Sequence, residues 1–309
     1  MPGMFYDSPF DQPIGAWNVS HVTDMVYMFA FSDFNQDLKD WNVEKVTSME
    51  AMFLSTPFNK PIGDWNVMNV TDMGNMFYYS DFNQDLKDWN VEKVTRMYSM
   101  FDGSSFNRPI GAWNVSNVTD MRRMFAYSVF NQDLKDWNVE KVTSMYAMFE
   151  SSSFDRPIGD WNVSSVTDMT FMFFSSGFNH DLKDWNVEKV KSMYGMFQDS
   201  SFDQSIGEWN VSSVTDMGYM FKRSDFNQDL KDWNVEKVTN MRDMFALNTD
   251  FNKNVTGWAT NTTGFTSDAY ADMFYDSTAW QAAYNYTVSG GICDEASPYG
   301  PARCWTPKL

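Results

Sequence analysis

Acidic residues at a fixed spacing are the first candidates for chemistry in this chain. Asp40, Asp64, Asp88, Asp136, Asp160, Asp184, Glu208 and Asp232 stand directly before a tryptophan in eight of ten units that recur every 24 residues. If successive units stack, these carboxylates fall into one column, which would attract a cation such as Ca2+ or the hydroxyls of a glycan. Asn42, Asn66, Asn90 and their equivalents follow each tryptophan and form a second column. Their amides are expected to bond from coil to coil or to face a periodic ligand. A dense row of like charge is repulsive, so lysines of the Lys39 type are expected to offset it.

Other reactive residues are few. The histidines are His21 and His180, at unrelated places in their units, and no Ser/His/Asp order, phosphate loop or His-Glu-x-x-His occurs. Carboxylates are too abundant for any pair to mark a glycosidase, so no enzyme activity is expected. Cys293 and Cys304 enclose a Pro/Gly-rich loop and are expected to form a disulfide, with no further cysteine or histidine nearby to build a metal site. Sequons at Asn18, Asn114, Asn162 and Asn210 arise automatically from the repeated Trp-Asn-Val-Ser, whereas Asn261 and Asn285 lie outside the repeat and are the better glycosylation candidates. The formal net charge of −18 disfavours nucleic acid and anionic membranes as partners.

The elements that would position these residues follow from the repeat itself. Trp17 to Trp233 and Phe10 to Phe226 each recur every 24 residues, as do the pairs from Met25/Met28 to Met241/Met244. A fixed period of this length predicts a solenoid. Leu38-x-x-Trp41-x-Val43 alternates apolar and polar residues and predicts a short parallel strand. Val46, Met49, Met52 and Phe53 recur at i, i+3 and i+4 and predict one or two helical turns, with Asp24 or Ser48 as a cap. No single coil buries its own Leu, Trp, Val, Met and Phe, but stacked coils do. At the usual strand spacing ten coils would span on the order of 50 Å. Units alternate between a Pro61-Ile62-Gly63 type and an Asp37-Leu38-Lys39 type, giving a 48-residue superperiod.

Three segments are expected. Residues 1–9 form an incomplete first coil, because Met4-Phe5 matches the end of a Met-x-x-Met-Phe unit. Residues 10–258 form the solenoid, ten regular units plus an eleventh irregular one. Residues 259–309 form a C-terminal cap, since an open solenoid end exposes core.

The unit FNQDLKDWNVEKVTSMxxMF, alternating with FNxPIGDWNVSxVTDMxxMF, resembles the Met/Phe/Trp-rich bacterial surface-protein repeat related to BspA-type leucine-rich repeats, also common in protist and algal proteins. The resemblance covers about Met4 to Phe274. It implies an α/β right-handed leucine-rich-repeat-like solenoid, an extracellular or cell-surface location, and a role in adhesion or assembly without a cofactor. A protein or matrix partner would then be met by residues that break the repeat. The Tyr- and Arg-bearing positions between the paired methionines, Tyr98, Arg122, Arg123, Tyr146, Phe171 and Tyr219, are the candidate interaction face. The competing expectation is a binding module for a glycan or Ca2+ on the Asp/Asn columns.

Overall fold

The computed structural model describes residues 1–258, 271–287 and 304–308. The chain divides into two compact units, Met1–Pro157 and Ile158–Leu309. Both are built from the same repeat, and each is described by itself.

Within the first unit, the segment beginning at Met25 is a ribbon of overlapping turns. Met25, Tyr27, Phe29 and Phe31 donate their N–H groups to the carbonyls of Ser48, Glu50, Met52 and Leu54 in the next coil, at 2.8–3.1 Å. The intervening Met28, Ala30 and Ser32 donate back to Met25, Tyr27 and Phe29 of their own coil. Alternate amides thus serve alternate directions, and the buried donors along the ribbon are paired. This geometry requires a left-handed residue at every fourth position: Tyr27 and Phe31, Ala51 and Ser55, Asn75 and Tyr79 all have φ between 50° and 58°. Each ribbon opens on a single parallel bridge, as at Asp24↔Ser48 and Ser48↔Asp72. There Asp24 Oδ1 accepts the Val26 N–H at 2.9 Å and closes the first turn. Residues 1–7 make the same ribbon, with Gly3, Phe5 and Asp7 donating to Val26, Met28 and Ala30.

The second unit repeats the pattern from Met169 to Leu247. Met193, Gly195 and Phe197 donate to Asp216, Gly218 and Met220, and Asp243, Phe245 and Leu247 donate to Ala271, Met273 and Tyr275. Here the chain leaves the repeat. Helix α1 (Thr278–Ala283) brings Trp280 to 4.1 Å from Phe274, stacked, and the ring stands where each earlier coil places its second phenylalanine. Strands β1 (Tyr284–Tyr286) and β2 (Trp305–Pro307) pair antiparallel with Asn285 opposite Thr306, and Trp305 closes edge-on over Phe274 and Trp280. Among the described residues no helix is long and apolar enough to cross a membrane.

Both elements expected within the coil differ from what forms. Leu38 to Val43 is not a strand: Trp41 N–H turns back to the Leu38 carbonyl at 3.0 Å. That carbonyl also accepts Trp65 Nε1 from the next coil at 3.0 Å, so it cannot serve a sheet ladder. Parallel pairing survives as one bridging residue per coil, beside Met25 rather than Trp41. The expected helical turn at Met49–Phe53 is the turn ribbon, whose apolar period of four mimics a helical face. What stands is a repeat protein with a 24-residue unit and a periodic aromatic core.

That core is columnar. In the first unit Phe29 stacks on Phe34 at 4.1 Å and on Phe53 of the next coil at 5.6 Å, and Trp41 stacks on Trp65 at 6.4 Å. Buried Ser32, Thr56 and Ser80 form a polar thread beside the phenylalanines, with Ser32 Oγ donating to the Phe29 carbonyl at 2.6 Å. The glycine of the Pro-Ile-Gly units explains the superperiod. A Cβ on Gly63 would lie 2.6 Å from the Asp85 carbonyl oxygen, and one on Gly207, where the unit reads Ser205-Ile206-Gly207, 2.7 Å from that of Asp229. The Asp-Leu-Lys coil therefore sits closely only on a coil lacking a side chain at that point.

Candidate interaction surface

The ribbon sets the chemistry of its two faces. Met25, Met28, Phe29 and Ser32 turn inward and are buried, whereas Val26, Tyr27 and Phe31 are half-buried or exposed. The inward residues recur with little change from coil to coil. The outward ones vary: Glu50, Ala51, Leu54 and Ser55 are followed by Gly74, Asn75, Tyr78 and Tyr79, then Tyr98, Ser99, Asp102 and Gly103. Outward side chains pack against one another along the ribbon, as Ala30, Ala51, Leu54 and Tyr78 do.

In the first unit the structure brings Tyr98, Arg122, Arg123 and Tyr146 onto three successive coils of this face, with Ser99 donating to the Arg122 carbonyl and Arg123 to that of Tyr146. Their roles differ. The Tyr98 ring covers Gly74, where a Cβ would lie 2.3 Å from it, and its hydroxyl donates to Glu50 Oε1. Burial and that hydrogen bond push the Tyr98 phenol well above its ordinary range. Arg122 is exposed and pairs with Asp120 at 2.7 Å. Arg123 turns inward, bonding Asp102 Oδ2 at 2.8 Å and Glu150 Oε2 at 2.9 Å, with its guanidinium 5.5 Å above the Tyr127 ring. Asp102 is fully buried, and its Oδ1 has no hydrogen-bond partner among the described residues. Burial raises its carboxyl to about 6 despite the opposing pull of Arg123. Tyr127, 45% exposed, donates to Glu150 Oε1 at 2.6 Å, and chiefly through that bond its hydroxyl is pushed up to about 12.

In the second unit Phe171 and Tyr219 are linked through Tyr194, whose ring lies 5.2 Å from each. The Phe171 ring covers Gly195, which takes the left-handed conformation at φ 58°. Lys222 lies 4.7 Å above Tyr219 and bonds Asp243 at 2.9 Å.

The acidic residues before each tryptophan are all exposed. Asp64 and Asp88 border one shallow groove with Asp85 and Lys87, and Asp136 borders another with Asp133 and Lys135. Lys231 bonds both Asp229 and Asp232, at 3.0 and 3.2 Å. Among the described residues no three His, Cys, Asp or Glu side chains converge as a metal site.

The asparagines after tryptophan do not form the expected coil-to-coil ladder. Asn42 Oδ1 accepts the Glu44 N–H two residues ahead at 3.1 Å, and Asn90 does the same for Glu92. Such a residue caps its own turn, which is what short amide side chains favour. The ladder exists elsewhere. Asn35, Asn59 and Asn83 each accept the backbone N–H of the residue one coil later, at 3.0–3.1 Å, and Gln84 Nε2 bonds Asn59 Oδ1 at 2.8 Å. The signal was present: the position after the phenylalanine is Asn or Asp in every unit, and both carry the required acceptor.

Cys304 is buried, while Cys293 lies outside the described residues and the pairing with it. Asn261 also lies outside them, and Asn285 is exposed on β1.

No curated protein matched the chain, and neither did any solved structure. Overlapping matches to one family, over residues 1–81, 54–153, 79–183, 127–223 and 174–287, cover the repeats and run on to β1 and just beyond. The chain therefore belongs to the family described as Mycoplasma protein of unknown function, DUF285.

Proposed function

We propose that this protein is a non-catalytic repeat scaffold, secreted or held at a cell surface, that binds a protein or matrix partner through the outward face of its turn ribbons. One observation carries the reading. Within the ribbon the inward positions repeat from coil to coil, while the outward ones vary and carry the Tyr, Arg and Phe residues favoured at interfaces. A ribbon whose inward face is fixed by the fold leaves the outward side chains free to encode a partner. That the sequence carries no Ser/His/Asp order, phosphate loop or His-Glu-x-x-His agrees with this reading, and so does the resemblance to surface-protein repeats. The Cys293–Cys304 disulfide and a glycan on the exposed Asn285 belong to the same reading.

Arg123 is a poor probe because it supports buried Asp102, so the test uses Arg122→Ala/Tyr127→Ala. It is compared with Asp88→Asn/Asp136→Asn/Asp160→Asn in a cell- or matrix-binding assay. Loss of at least tenfold in affinity from the first variant, with near-normal binding by the second, is expected. The reverse result would transfer the function to the acidic column and a periodic ligand such as a glycan or Ca2+.

A further inference from the structure

In the first unit one side of the stack is laced by asparagine. Asn69 Nδ2 donates to the Glu44 carbonyl and its Oδ1 accepts Lys93 Nζ, both at 2.8 Å, so three coils are tied together. Asn117 repeats this with Glu92 and Lys141, at 2.8 and 2.7 Å. In the second unit the corresponding residues are Ser165 and Ser213, which are too short to make either bond. Two changes follow. Lys189, the counterpart of Lys93 and Lys141, has no ion pair or side-chain hydrogen bond among the described residues. A groove of about 560 Å³ opens, lined by Ser164, Thr167, Asn186, Glu188, Lys189, Lys191 and Ser213.

The same place carries another break in the repeat. The residue before the bridging position is threonine in nine of the ten units and lysine only at Lys191. Among the described residues Lys191 Nζ reaches no carboxylate, and its one hydrogen bond is to the Ser213 carbonyl at 3.4 Å. Asn186 uses its Oδ1 on the Glu188 N–H at 3.1 Å, which leaves its NH2 group as an outward donor. On a chain of net charge −18, two lysines without carboxylate partners beside hydroxyl and amide groups form a local site for negative charge.

We propose that this groove binds an oxyanion ester carried on a hydroxylated molecule, a sugar phosphate or a sugar sulfate. Lys189 and Lys191 hold the ester oxygens, Ser164 and the Asn186 amide donate to them, and the Glu188 carboxylate accepts a hydroxyl of the carrier. A bare dianion would gain less, because Glu188 would then face it without a proton to accept. This site lies on different residues from the outward ribbon face and does not depend on what that face binds.

The test follows lysine acetylation by mass spectrometry at low ionic strength, with glucose 6-phosphate, glucose 6-sulfate or glucose present at millimolar concentration. Either ester, or both, should slow labelling of Lys189 and Lys191 at least threefold, while glucose does not and Lys93 and Lys141 are unchanged. Which ester protects identifies the carrier chemistry. The variant Ser165→Asn/Lys191→Thr/Ser213→Asn copies residues that the first unit already folds with, and in it Lys189 should lose the protection. Unslowed labelling overturns the proposal. So does equal slowing at Lys93 and Lys141, which would be general screening, and so does protection that survives in the variant.

Discussion

Gly207→Ala adds one methyl where two coils leave no room for it. A Cβ at Gly207 lies 2.7 Å from the Asp229 carbonyl oxygen, about 0.7 Å short of ordinary contact at 3.4 Å. The obstacle is backbone, so it cannot rotate aside as a side chain would. Overpacking of this kind costs about 1–3 kcal/mol. The alanine also restricts the unfolded chain, which returns about 0.4–1 kcal/mol. A net loss of about 1–2 kcal/mol is expected. Gly177→Ala in the same unit is the control: nothing lies within 4 Å of its Cβ, and its φ is not left-handed. It should be neutral or slightly stabilising. Guanidinium and thermal unfolding followed by tryptophan fluorescence compare the two. If Gly207→Ala proves as stable as Gly177→Ala, close coil contact is not what fixes the alternation of Pro-Ile-Gly and Asp-Leu-Lys units.

Trp137→Ala removes a ring that is 3% exposed and should cost about 3–5 kcal/mol in denaturant melts, whereas Trp17→Ala, at 40% exposed, should cost much less. Between pH 3.8 and about 6 the folded chain keeps a proton on Asp102 that the unfolded chain releases, so stability falls as pH rises through that window, by roughly 3 kcal/mol at most. Asp102→Asn should lose this component of the pH slope, and a slope identical to the parent's would place the titration elsewhere. Alkylation without reductant should label neither Cys293 nor Cys304, and reduction should cost on the order of 2–3 kcal/mol in the cap; two labelled thiols would refute both the disulfide and the secreted location inferred with it.

The repeat unit, its aromatic columns and the departure of the last coils from the pattern were legible in the sequence. The conformation of the coil was not, because a ribbon that turns two residues in and two out gives the same i, i+3, i+4 apolar spacing as a helix at Met49, Met52 and Phe53. The distinguishing trace was the residue type at every fourth position. Gly3, Asp7, Asn75, Gly103, Gly195, Asp199, Asp243, Asp272 and Asp276 are the small or amide-like residues that tolerate a left-handed backbone. Tyr27, Phe31 and Tyr127 at the same position hid that trace, held there by packing and coil-to-coil bonds rather than propensity. The interaction candidates were legible as breaks in the repeat, but the inward turn of Arg123 was not. It depends on Asp102 and Glu150, each one coil away, and nothing in the local sequence joins them.

Between coils the ribbon's own hydrogen bonds run one way. Its outgoing amides, such as Met25, Tyr27, Phe29 and Phe31, point toward the following coil, while the flanking amides of the Thr47 and Asp33 type point to the preceding one. In an ordinary sheet neighbouring peptide dipoles largely cancel. Here the ribbon's forward bonds outnumber the flanking ones that oppose them, so each stack carries a net macrodipole with partial positive charge at its C-terminal end, the reverse of an α-helix. Asp272 and Asp276 occupy the last ribbon of the second unit, at the end toward which its amides are aimed. Every coil added to such a stack lengthens the dipole, so these proteins gain a polarised axis with copy number, independently of the side chains they display.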